Sequence, residues 1–312
     1  MRDLIIIGGG AAGLSAAMYA LGKQLDVLLI AKNIGGKAGW QRRIAGQRVG
    51  EPDPAEATVR LFADRLTAEV GHTMHDTVER VSKIDGGFAV ETTQHGVQRA
   101  LAVIIATGVT PVPLEAPGAL DLVGYGLGYS TATHAHLLAG KTVAAIGTTR
   151  RLLRGVNELS RIARKVYLIS PVINGLMTPQ GLAIQNRLNV EVLEHYQVKQ
   201  IHGSFQVQAV DVTRDAITRH LEVDAVFVDL GLHPNSAMVR DLVRVDLSGF
   251  IHIDADGATS VPGLYAAGDV TDAIGEQILI AVGQGARAAV TAYDYLLSEP
   301  AYLRSDEAKL EA

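Results

Sequence analysis

The chain of 312 residues contains no cysteine. That absence excludes disulfides, thiolate metal sites and cysteine nucleophiles. A basic excess is also missing: 28 Lys and Arg stand against 33 Asp and Glu, a formal charge of −5. A nucleic-acid partner is therefore not expected, because neutralising phosphates takes clustered Lys and Arg. Basic residues do gather at Arg150, Arg151, Arg154, Arg161, Arg164 and Lys165, but at near-helical spacing they read as a solvated helix face. Aromatics make up only 5%, with a single tryptophan, Trp40. No apolar run reaches the roughly 18 residues of a membrane helix, so no membrane partner is expected. The first residues run into a buried-strand pattern rather than a signal peptide, and a cytoplasmic location is expected. What is present is 48% hydrophobic and 20% charged, a globular composition with enough length for two domains.

The strongest local pattern opens the chain. Asp3-Leu4-Ile5-Ile6-Ile7 is a short apolar run suited to one buried parallel strand, and Leu14 to Leu21 is helical in composition. Between them lies Gly8-Gly9-Gly10-Ala11-Ala12-Gly13, a G-x-G-x-x-G fingerprint in its expected strand-turn-helix setting. Gly8 permits the turn, Gly10 lets backbone approach a pyrophosphate, and Gly13 lets the helix lie close to the strand. The helix N-terminus then offers free N–H groups to a diphosphate. Asp26 to Ile30 is the second strand. It is followed by Ala31-Lys32-Asn33 where an acidic ribose ligand often stands, and Lys32 is a candidate for ribose or adenine.

Further on, Val81–Ile84, Phe88–Thr93 and Val97–Ile105 form a β-meander ending in Ala106-Thr107-Gly108. Near the C-terminus come a short strand, Gly268-Asp269, Gln277-Ile278, and an alanine-rich helix over 286–297. With His233-Pro234-Asn235, these blocks resemble the low-molecular-weight thioredoxin reductase family of FAD flavoproteins, over nearly the whole chain. The resemblance implies a non-covalent FAD. Asp269 would bond its ribityl or diphosphate region, and Gln277 and Ile278 would lie near the pyrimidine end of the isoalloxazine. Gly35-Gly36 is either backbone packed close to the flavin or an ordinary loop. Trp40 either stacks by the flavin, meets a partner, or packs.

The resemblance also marks departures. The family's Cys-x-x-Cys falls at Ser130-Thr131-Ala132-Thr133, so Ser130 and Thr133 replace the thiols, and His134 stands where the family carries an acidic proton donor. A hydroxyl forms neither a disulfide nor a thiolate. Ser130, Thr133 and His134 are thus candidate catalytic residues, with ordinary caps and surface residues as the alternative. A second dinucleotide-type unit begins at Lys141, but its turn reads Gly147-Thr148-Thr149-Arg150-Arg151-Leu152, with Thr149 and Leu152 at the second and third glycine-type positions. Ser170-Pro171-Val172-Ile173 lacks the basic cluster that would hold a 2′-phosphate. NADPH binding is not expected. Of ten histidines, the pairs close in sequence are His72/His75 and His134/His136, neither with a nearby acidic or thiol set, and no metal is expected.

The expected fold is α/β, with two Rossmann-like domains, the second inserted into the first: residues 1–111 and 233–312 for FAD, and 112–232 for a degenerate NAD(P)-binding-like domain. The prolines at 111, 113 and 117 mark the way out, and Gly231 and Pro234 the return. The expected function is an FAD-dependent oxidoreductase without dithiol chemistry, exchanging electrons with a protein carrier such as ferredoxin or flavodoxin, or with a small molecule. A non-catalytic FAD-binding sensor or assembly protein is the alternative. A ferredoxin or flavodoxin reductase is the third reading, weakened by the altered second turn. A homodimer is expected from the resemblance alone.

Overall fold

The computed structural model describes residues 1–39, 54–68, 71–130, 135–172 and 176–303. In chain order, the first segment holds β1 (Arg2–Ile7), α1 (Ala11–Gly22), β2 (Val27–Ala31), α2 (Pro54–Ala68), β3 (Thr73–His75), β4 (Val78–Ile84), β5 (Gly87–Thr92), β6 (Gly96–Ile105) and β7 (Val109–Pro111). The middle segment holds β8 (Leu127–Gly128), β9 (Thr142–Gly147), α3 (Arg150–Leu159), β10 (Lys165–Ser170), α4 (Pro179–Gln185), β11 (Val190–Glu194), β12 (Gln197–Gly203), β13 (Val207–Arg214), β14 (Ile217–Glu222) and β15 (Ala225–Asp229). The last holds β16 (Leu232–Pro234), β17 (Leu264–Ala266) and α5 (Ile278–Leu296). The described residues divide into two compact units, those of 1–110 with 233–303, and those of 111–232. The architecture is α/β with two Rossmann-like units.

In the first unit the strand order is β3-β2-β1-β6-β5-β4, with β17 also on β6. The pairs among β3, β2, β1, β6 and β17 are parallel, and β4-β5-β6 is the antiparallel meander. β1 is covered on both faces, which explains its unbroken apolar run. Alternate residues divide between two cores. Leu4, Ile6, Val27 and Leu29 pack with the alanines of α1 and α5. Ile5, Ile7, Leu28 and Ile30 pack on the other side with Phe88, Val90 and Ile251. Each fully buried aliphatic side chain contributes about 1.5–3 kcal/mol.

α5 begins at Ile278 and not near Ala286. Gly283 and Gly285 resemble a break in the sequence, yet Gly285 is the point where α1 passes: a Cβ there would lie 2.0 Å from the Ala12 carbonyl oxygen. Small residues on both helices permit this approach, with Ala16, Ala17, Ala20, Ala288, Ala289 and Ala292 all fully buried.

In the second unit a parallel sheet has the order β11-β10-β9-β15-β8. Val143 and Ala145 face α3 and α4. Ala144 and Ile146 face a three-stranded antiparallel sheet, β12-β13-β14. No helix among the described residues is long and apolar enough to cross a membrane.

Candidate functional site

The first glycine turn is built by backbone contact. Gly8 has φ +117°, and a Cβ on it would lie 2.2 Å from the Ala106 carbonyl oxygen. A Cβ on Gly13 would lie 1.8 Å from the Gly8 carbonyl oxygen, so α1 lies directly against the turn. Around Gly10, by contrast, a Cβ would meet nothing within 4 Å. Gly10 is the N-cap of α1, with no side-chain cap and no acidic residue in the first turn. An uncapped helix end beside open space is the arrangement that accepts a diphosphate, and a side chain at Gly10 would fill that space.

Several of the other expected residues are tied to this turn by hydrogen bonds or close approach. Gly35 N–H donates to the Gly9 carbonyl at 2.7 Å. A Cβ on Gly36 would lie 2.8 Å from the Gly10 Cα. Ala106 N–H donates to Ile7, and Thr107 and Gly108 are fastened to Asn235: Thr107 Oγ1 donates to its carbonyl at 2.6 Å, Asn235 Nδ2 donates to the Thr107 carbonyl at 3.0 Å, and Asn235 N–H donates to Gly108 at 2.9 Å. Gly268 N–H donates to Gln284 Oε1 at 2.8 Å, and a Cβ on Gly268 would lie 3.0 Å from that of Ala12. Asp269 follows, largely buried and paired with Lys37 Nζ at 2.5 Å. Lys37 was not singled out from the sequence. Its signal was its place directly after Gly35-Gly36, and its partner stands 232 residues away. Gln277 caps α5 by backbone only, so a second helix end, at Ile278, lacks a side-chain cap. Lys32 is exposed at the end of β2.

The second glycine turn starts the same way and ends differently. Gly147 has φ +126°, and a Cβ on it would lie 2.1 Å from the Asp229 carbonyl oxygen, as Gly8 does against Ala106. Thr149, the counterpart of Gly10, is the N-cap of α3, and its Oγ1 accepts the Leu152 N–H at 3.1 Å. The Thr149 hydroxyl donates to Asp229 Oδ2 at 2.6 Å, and Arg151 Nε donates to the same oxygen at 2.6 Å. Asp229 is 4% exposed, and its Oδ1 is buried with no hydrogen-bond partner among the described residues. Arg151 is thus not part of a free solvated face. Leu152, at the third glycine-type position, is buried in the core with Val143, Val156 and Leu168.

Of the candidate catalytic residues, Thr133 and His134 lie outside the described residues, as does Trp40. Ser130 is described and half-buried just beyond β8. One cluster is absent from any sequence motif: His202 on β12, Asp211 on β13 and His220 on β14 converge on one sheet face.

A family model described as pyridine nucleotide-disulphide oxidoreductase matches residues 2–285. The chain is 31% identical to NADH dehydrogenase of Bacillus subtilis over 307 residues, covering 95% of this chain and 58% of that protein. It is 30% identical to a subunit of the alkyl hydroperoxide reductase of Staphylococcus epidermidis over 311 residues, covering 95% and 59%. The chain therefore spans under two thirds of the length of these relatives. Among solved structures, thioredoxin reductase from Streptococcus pyogenes superposes with a TM-score of 0.84 at 26% identity, over 96% of this chain and 99% of that one. Thioredoxin reductase of T. acidophilum gives 0.63 at 30% identity, over 95% and 99%.

Proposed function

Because the chain belongs to the pyridine nucleotide-disulphide oxidoreductase family, we propose that it is an FAD-dependent oxidoreductase that uses neither a dithiol nor NADPH seated on its second glycine turn. The observation that carries this reading is the contrast between the two turns. The first is uncapped and open at Gly10, and the second is closed by Thr149 and Arg151 on Asp229. A pyrophosphate would have to displace that hydrogen-bonded carboxylate and approach it charge to charge. The lack of cysteine removes the thiols through which a disulfide substrate would be reduced.

Bound FAD would supply one- and two-electron transfer. The residues of this chain hold and orient it. The amides of Gly10, Ala11, Ala12 and Gly13 would hold the diphosphate, and Asp269 would accept hydroxyl hydrogen bonds. Lys37 would hold the Asp269 carboxylate in place through their ion pair, and the start of α5 at Gln277-Ile278 would offer N–H groups to a negatively charged ring edge. The partners of that transfer would be a small carrier protein such as ferredoxin or flavodoxin, or a small molecule. The same two losses favour a second reading, an FAD-binding sensor or assembly protein with no turnover.

The test is anaerobic flavin absorbance on the purified chain. We expect FAD to co-purify and dithionite to bleach it, while NADPH and NADH leave it oxidised and reduced flavodoxin or ferredoxin bleaches it. The NADH arm answers the name of the Bacillus subtilis relative. Rapid bleaching by either nicotinamide would sink the proposal. A spectrum moved by no physiological donor would select the second reading.

A further inference from the structure

We propose that His202, Asp211 and His220 form a binding site for one divalent transition-metal ion of the Zn²⁺ class. Each residue comes from a different strand of the β12-β13-β14 sheet. Asp211 stands opposite His220, and His202 stands opposite Ala209, two residues along β13 from Asp211. The two-residue side-chain period of a strand therefore places all three on one face. The residues between them, Ile201, Val210, Val212 and Leu221, face the other way and are buried in the core. That burial fixes the register, because a one-residue slip would expose these four apolar side chains. The outward triad is held by the same register.

The donor atoms already converge. His202 Nε2 lies 2.8 Å from Asp211 Oδ2, and His220 Nδ1 lies 2.6 Å from Asp211 Oδ1. The two imidazoles are tilted, with centroids 5.5 Å apart, and one ligand atom from each of the three residues lies within 4.8 Å of the others. With metal–ligand bonds of about 2.0–2.2 Å, neighbouring donors in a coordination sphere stand about 3–3.5 Å apart. Small side-chain rotations would therefore seat an ion. The hydrogen that each imidazole now points at the carboxylate would move to the other ring nitrogen or to solvent, since a ligating nitrogen carries none. Two imidazole nitrogens and one carboxylate suit Zn²⁺, Ni²⁺ or Cu²⁺, whereas Mg²⁺ and Ca²⁺ ask for oxygen alone. The face is open to solvent, with His220 more than half exposed, so the ion has an entry path and water can complete its coordination. The chain's other His–Asp pairs described, His95–Asp76 and His252–Asp272, have one imidazole each and serve as controls.

The experiment is a competition titration of the chelator-treated full chain with Zn²⁺ against a chromophoric indicator, with Mg²⁺ in parallel. We expect one saturable Zn²⁺ site per chain, weakened at least about 10-fold in His202→Ala and in His220→Ala and unchanged in His252→Ala. Mg²⁺ should not compete. All three substituted side chains point outward, and melting in metal-free buffer checks that the variants fold. Independently of any substitution, Zn²⁺ should protect His202 and His220 of the wild-type chain from diethyl pyrocarbonate, read by peptide mass spectrometry. No saturable binding, equal affinity in all variants, or unprotected imidazoles at saturating Zn²⁺ would each overturn the proposal.

Discussion

Asp229, the last residue of β15, and Ala106, just past β6, sit at equivalent places, each touching the first glycine of a turn with its carbonyl oxygen. The methyl of Ala106 leaves the first turn alone. The carboxylate of Asp229 takes the Thr149 hydroxyl and the Arg151 guanidinium, and Thr149 in turn takes the Leu152 amide in the first turn of α3. Asp229→Ala combined with Thr149→Gly makes the second turn match the first at these two positions. The double variant is expected to lose about 2 kcal/mol of stability, a modest amount because Arg151 can still reach water. It is also expected to bind NADPH more tightly than the wild type does, measured by nicotinamide fluorescence. If the variant binds no better, the carboxylate is not the obstacle. At the first turn, Asp269→Ala is expected to lower flavin occupancy while leaving the fold intact, seen as a drop in the ratio of flavin to protein absorbance. The glycines of the first turn were legible in the sequence because they recur at a fixed spacing between a strand pattern and a helix pattern. Asp229 was not, because an acidic residue at a strand end has many ordinary uses and its partners are about 80 residues away. Lys37 escaped for the same reason.

Elements carry the site through their ends. Among helices with described caps, α1 and α5 of the first unit have no side-chain cap, whereas α3 and α4 of the second are closed by Thr149 and Thr178. The uncapped pair is held together where Gly285 meets the Ala12 carbonyl and where Ser15 Oγ donates to the Val282 carbonyl at 2.8 Å. Gly285→Ala should force α5 off α1, at a cost of about 1–3 kcal/mol, and reduce flavin retention. Gly283→Ala, where a Cβ meets nothing within 4 Å, should instead add up to about 1 kcal/mol. Urea midpoints of the two variants should move in opposite directions. These two glycines also explain why the start of α5 was misplaced from the sequence: composition records two weak helix formers but not the neighbour that requires Gly285. Asp76 is a second structural joint, buried between β3 and β4. Burial pushes its carboxyl up, but His95, Thr77, Thr92 and Gln94 hydrogen-bond the charged form and hold it well below the ordinary aspartate value. A depressed folded-state value stabilises the protein above the unfolded value, and that contribution is lost as pH falls toward the folded one. The stability gap between wild type and Asp76→Asn should therefore stay level from pH 7 to 5 and shrink below about pH 4.

At the scale of the whole molecule, the two units have the same kind of fold and differ at their glycine turns. The parallel sheets, the meander and the alanine helices were legible because apolar runs and glycine turns are local in sequence. The His202–Asp211–His220 face was not, because its members are nine residues apart and meet only through strand pairing. Every residue assigned to the flavin belongs to the first unit: Gly8 to Gly13, Gly35 to Lys37, Ala106 to Gly108, Asp269 and Gln277-Ile278. The residues that close the second turn all belong to the other. Ligand stabilisation acts on whatever must be folded to bind, by RT ln(1 + [L]/Kd), about 2.7 kcal/mol when free ligand is 100 times Kd. Added FAD should therefore protect backbone amides of β1, α1, β6 and α5 in hydrogen exchange and leave β9, β10 and β15 at their apo rates. Zn²⁺ should do the reverse, slowing exchange in β12, β13 and β14 alone. Protection by FAD spreading equally into β9 and β15 would mean that the second unit helps to hold the cofactor, and the division of labour drawn from the two glycine turns would fail.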